Sequence, residues 1–84
     1  MQLPWSSLNA FLAYCAEHTI RGSRSNPEYC PLAVAIKHQR GVNFAMVGWG
    51  HCQLAEGQVI ALPLWAIDFV KAFDEGHFSE LHIR

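Results

Sequence analysis

Long apolar runs are missing from this chain of 84 residues, and no stretch reads as a helix able to cross a bilayer. Near its start there is no basic segment leading into an apolar core, because Ser6, Ser7 and Asn9 interrupt the early apolar residues. No secretory leader is expected, and the setting this implies is cytoplasmic, within a host cell. Cysteine is scarce and odd in number: Cys15, Cys30 and Cys52 fit no disulfide framework, which agrees with a reducing compartment. Net charge is nearly absent, at −1, so no global field draws the chain to nucleic acid or to a membrane surface. The "GWG" at 48–50 lacks a following helix and a Lys-Ser/Thr pair, so it is not a phosphate-binding loop.

What is present is apolar and aromatic. Hydrophobic residues make up 51% of the chain and aromatics 12%, enough for a packed globule rather than a disordered segment. With no repeat, linker or low-complexity tract, residues 1–84 read as one domain. So small a core gains from burying further area, and a homodimer is one way to do so.

The first helix is expected in "SSLNAFLAYCAEHTI". Ser6 or Ser7 serves as N-cap, Trp5 packs back as a staple, and Leu8, Phe11, Leu12, Cys15 and Thr19 form one face. Gly22 is the expected stop. "NPEY" reads as a single turn, and "CPLAVAIKHQRG" as a second helix. Pro31 lies in its first turn, Lys37, His38 and Arg40 at the negative end of its dipole, and Gly41 at its stop. "VNFAMVGWG" and "HCQLAEGQVIAL" alternate as strands do, with a bend at Gly48 and Gly50 and a turn at "AEGQ". "LPLWAIDFVKAFDEG" is the third helix, with Leu62, Ala66, Phe69, Val70 and Phe73 as its apolar stripe. "HFSELHIR" reads as a C-terminal strand, with Leu81 and Ile83 on one face and Glu80 and His82 on the other. Helices and strands are segregated along the chain. The expected fold is therefore α+β: three helices with a small antiparallel sheet made of the hairpin and the C-terminal strand.

The chemistry-bearing residues point to binding more than to catalysis. Five histidines and three cysteines are enough donors for zinc, but there is no C-x-x-C, and no spaced histidine pair follows a cysteine pair. His51 and Cys52 point to opposite faces of a strand, so only a site assembled from distant residues remains open, and no metal or cofactor is expected. Cys30 opens a helix, where the dipole would favour a thiolate, with His18, His38 and His51 as distant candidate bases. Free cysteine more often behaves as a small buried hydrophobe, and a core or capping role is the favoured reading.

Charge is segregated: Arg21, Arg24, Lys37 and Arg40 face only Glu28 within residues 21–40. Elsewhere Lys71 and Arg84 are set against Glu17, Glu56, Asp68, Asp74, Glu75 and Glu80. The four cations are the candidate contact residues, steering the chain to an acidic partner or, weakly, to nucleic acid. Trp49 and His51, near the strand bend, are candidates for the same surface. Burial of Trp49 against the helices is the ordinary expectation for so large an aromatic.

Taken together, Cys30-Pro31-Leu32-Ala33, then Leu62-Pro63, then Phe73-Asp74 and Gly76 form a pattern across roughly residues 20–84. It resembles a group of small uncharacterised proteins of phage and prophage type. In those, a Cys-Pro-(Ile/Leu)-Ala helix start precedes a hairpin, a Leu-Pro helix ending in Phe-Asp-x-Gly, and a terminal strand. The first helix departs from the shorter lead-in of that group. The resemblance implies an α+β mini-domain from a mobile element and carries no catalytic residues to transfer. The function expected on these grounds is a non-enzymatic accessory protein that inhibits a host defence complex by protein–protein binding, in the manner of an anti-CRISPR. The alternative is a weak nucleic-acid-binding module built on the basic 21–40 segment.

Overall fold

A computed structural model describes residues 2–83; Arg84, included in the charge balance and in the expected last strand, lies outside them. The chain runs α1 (Leu8–His18), α2 (Pro31–Arg40), β1 (Ala45–Val47), β2 (His51–Leu54), β3 (Val59–Ala61) and α3 (Leu64–Asp74). Three helices and a three-stranded antiparallel sheet make an α+β fold. Among the described residues no helix is long and apolar enough to cross a membrane.

Local chemistry sets most of the element ends. The Ser7 hydroxyl accepts the Ala10 N–H at 3.2 Å, satisfying one of the free donors at the start of α1. Trp5 packs back on Phe11 and Tyr14, at 5.2 and 5.1 Å between ring centres. The turn before α2 is an Asx turn. The Asn26 side-chain oxygen accepts the Glu28 N–H, and its carbonyl accepts from Tyr29 and Cys30. Pro31 fills the first position of α2, and Gly41 closes it at φ +67°.

The end of α1 is a departure from expectation. Thr19, at φ +53°, makes the left-handed turn, and the Ile20 N–H returns to the Cys15 carbonyl. Gly22 has a different task. It lies buried against Cys30 and Pro31, in a space that no side chain can share.

The strands pair in the order β1-β2-β3, with Val47 opposite Cys52 and Cys52 opposite Ile60. That register puts Ala45, Val47, Cys52, Leu54 and Ile60 on the buried face and His51, Gln53, Val59 and Ala61 outside. α2 packs on β1, and α1 touches both α2 and α3. The core joins Phe11, Phe69 and Phe73 from the outer helices to Leu32 and Ile36 of α2 and to the sheet. Phe11 and Phe69 meet edge to face at 4.9 Å.

The C-terminal strand does not form among the described residues; the third strand of the sheet is Val59–Ala61, in the extended stretch after the "AEGQ" turn. Residues 79–81 make one 3₁₀ turn, entered through Phe78 at φ +57°, and only His82 bridges to Gly22, in parallel sense. That bridge consists of the Gly22 N–H on the Leu81 carbonyl and the Ile83 N–H on the Gly22 carbonyl. Leu81 is buried and Ile83 exposed, so the two do not share a face, while His82 stacks flat on Phe73 at 4.0 Å.

Candidate functional site

The hairpin between β1 and β2 turns in two residues, Trp49 and Gly50. It is closed by the Gly48 N–H on the His51 carbonyl and made possible by Gly50 at φ +81°. A side chain at the tip of so tight a turn has no element beneath it. Trp49 is accordingly 97% exposed, against the expectation that it packs on the helices. Among apolar side chains this degree of exposure is unusual, and a lone tryptophan held out on a hairpin is the kind of anchor that dominates protein interfaces.

Trp49 stands at the rim of a groove of about 660 Å³. Pro27, Cys30 and Val47 line it on one side, and Leu62, Ile67 and Val70 on the other. Lys71, Asp74 and Glu75 of α3 also border it. Asp74 is already engaged: its carboxylate accepts the Ser25 N–H at 2.9 Å, tying the end of α3 to the loop before α2. The Leu62 N–H bonds the Gly50 carbonyl at 3.0 Å, which places the start of α3 beside the hairpin tip. Leu64, two residues on, is 73% exposed and stands at this same end of the molecule.

His51 donates its Nδ1–H to the Trp49 carbonyl at 3.2 Å, which bridges the turn and sets the imidazole tautomer. These two candidates therefore belong to one feature. The four cations do not. Arg21 donates to the Ile20 carbonyl and borders a hollow with Glu80 and His82. Arg24 lies over Gly76, its Nη1 next to the open side of that glycine. Lys37 donates to the Glu28 carbonyl at 2.8 Å and sits 4.1 Å over the Tyr29 ring, a cation–π contact. Arg40 borders a separate hollow formed with Val42, Leu54 and Gln58.

The cysteines are core residues. Burial pushes the Cys15 thiol up to about 12. The Cys52 thiol is pushed up to about 11 by burial and by the neighbouring Cys30. For Cys30 burial again outweighs the backbone N–H groups of Ala33 and Leu32 that favour the thiolate, and the net shift is upward. The helix N-terminus does act on Cys30 as its position suggested, but desolvation is the larger effect. At neutral pH all three sulfurs stay protonated and hold little nucleophilic character.

The groove itself was not legible in the sequence. Val70 reads as a member of the α3 apolar stripe, and Ile67 and Leu64 as residues outside it. The available signal was Leu64 lying off the stripe formed by Leu62, Ala66, Phe69, Val70 and Phe73. No family model matches the chain, and no curated protein or solved structure matches it either.

Proposed function

We propose that this chain is a non-enzymatic binding protein that occupies a partner protein through the Trp49 hairpin and the groove beside it. The observation that carries the reading is the 97% exposure of Trp49 next to an apolar groove. Insertion of the indole into a partner pocket would recover the burial this side chain lacks in the free protein, and a partner side chain would fill the groove. Upward-shifted, buried thiols support binding over cysteine chemistry. Together with the motif pattern of phage and prophage type, this favours an accessory inhibitor that blocks a host defence complex. Arg21, Arg24, Lys37 and Arg40, dispersed over separate parts of the surface, serve such a role by adjusting encounter rate and salt dependence more than affinity.

The test is affinity capture from bacterial host lysate after nuclease treatment, at low and moderate salt, with wild-type protein and Trp49→Ala side by side. The expected result is a stoichiometric protein partner retained by wild type and lost with Trp49→Ala. With purified partner, the affinity loss is at least about 30-fold, the scale of an interface anchor worth about 2 kcal/mol. Equal retention of the partner by Trp49→Ala would overturn the reading. Recovery of nucleic acid alone, lost as salt rises, would replace it with the nucleic-acid-binding alternative.

A further inference from the structure

Away from the groove, three side chains from α1 and α2 gather at the surface. The His18 and His38 ring centres lie 4.8 Å apart, with planes inclined at 49°. Tyr14 holds both. Its ring packs on His18 at 4.3 Å, and its hydroxyl is hydrogen-bonded to His38 Nδ1 at 2.6 Å. Both histidines lie in the last turn of their helices.

We propose that His18 and His38 form a binding site for a divalent transition ion that prefers imidazole, of the class Zn²⁺, Ni²⁺ and Cu²⁺, joining the end of α1 to the end of α2. Three observations point the same way. The first is spacing. With metal–nitrogen bonds of about 2.0 Å, each ring centre sits about 3.2 Å from a shared ion, and rings 4.8 Å apart then subtend about 95° at it. That angle suits adjacent ligands in square-planar or octahedral geometry and is within reach of tetrahedral geometry. The second is the Tyr14 contact. A metal-bound histidine usually donates its other ring N–H to an oxygen, which fixes the tautomer and the ring direction. Tyr14 Oη already occupies that place on His38 Nδ1, leaving Nε2 for the ion. The third is electrostatic: two helix C-termini present partial negative charge where the cation would sit.

Among the described residues no group of three or more His, Cys, Asp or Glu side chains is placed to hold an ion. Water completes the coordination shell, and affinity is lower than at a four-ligand structural site. The order of affinity follows the general series, Cu²⁺ above Ni²⁺ and Zn²⁺, while Mg²⁺, which prefers oxygen, does not bind.

The experiment titrates NiCl₂, ZnCl₂ and MgCl₂ into the full chain. Binding is followed by calorimetry and thermal unfolding, and imidazole nitrogen resonances are recorded for wild type. The expected result is one ion per chain, a rise in Tm with Ni²⁺ and Zn²⁺ but not with Mg²⁺, and Ni²⁺ broadening confined to His18 and His38 among the five histidines. His18→Ala and His38→Ala each lower affinity at least 10-fold, Tyr14→Phe lowers it by about 10-fold through lost orientation, and His77→Ala leaves it unchanged. No Tm shift with Ni²⁺ or Zn²⁺ would overturn the proposal. So would broadening centred on His51, His77 or His82, a readout that needs no variant to fold.

Discussion

Replacing Gly22 with alanine tests the packing of this fold at its tightest point. An added Cβ would lie 2.6 Å from the Cys30 carbonyl carbon and 2.6 Å from Pro31 Cδ, and closer still to the Pro31 nitrogen. These atoms are backbone and ring at the start of α2, and no rotamer change moves them aside. The loop must shift, and it carries two hydrogen bonds: Gly22 N–H to the Leu81 carbonyl at 2.8 Å, and Ile83 N–H to the Gly22 carbonyl at 3.0 Å. Losing or stretching both costs about 1–3 kcal/mol, and overpacking adds about 1–3 kcal/mol. The expected destabilisation is therefore about 2–6 kcal/mol, against a total of about 4–13 kcal/mol for a chain of this length.

Urea unfolding followed by circular dichroism measures it, as a lower midpoint at unchanged slope. Gly41→Ala is the control. That glycine sits at φ +67° with nothing within 4 Å of an added Cβ, so only backbone strain of about 1 kcal/mol opposes the change. If Gly22→Ala destabilised the protein no more than Gly41→Ala does, the close approach of the loop to α2 would be refuted.

Ser7→Ala removes the α1 cap and should cost about 1 kcal/mol, read as a Tm lower by several degrees. Phe69→Ala opens a cavity among Phe11, Phe73 and Phe78 and should cost about 3–5 kcal/mol in urea unfolding, enough to leave the domain marginal. The thiols predict weakening in alkali. Their folded pKa values lie above the ordinary 9.0, so the unfolded chain loses these protons first. Stability present below pH 9 then falls as pH rises toward about 11 for Cys52 and about 12 for Cys15. Urea midpoints between pH 8 and 11 should decline, and the decline should shrink in Cys15→Ala relative to its own midpoint at pH 8.

The local signals in the chain carried much of the fold. The serine cap, the Asn26–Pro27 turn, Pro31 at the start of α2 and Gly41 at its end all act within a few residues. Their chemistry operates the same way whatever surrounds them. The short apolar alternation at 45–47 and 51–54 likewise opposes a one-residue slip, which would turn Val47 and Cys52 to opposite faces. The C-terminal segment failed the same reading. Alternation of Leu81 and Ile83 says nothing about which segment lies alongside or how far the two run together, and here the pairing is limited to the one bridge to Gly22. Gly22 was read as a helix stop because its nearest neighbours in sequence suggested one; its real constraint comes from Pro31, across a loop.

By itself, then, the sequence determined the α+β class, the three helices and most of their ends, because caps, prolines and periodicity are short-range causes. Tertiary structure alone decided the exposure of Trp49, the groove beneath it, the dispersal of the four cations and the meeting of His18 with His38. Each of these depends on where two distant segments lie relative to one another. That placement is set by burial of the shared core, which specifies which faces turn inward and leaves the chemistry of the outward faces to whatever the packing brings together.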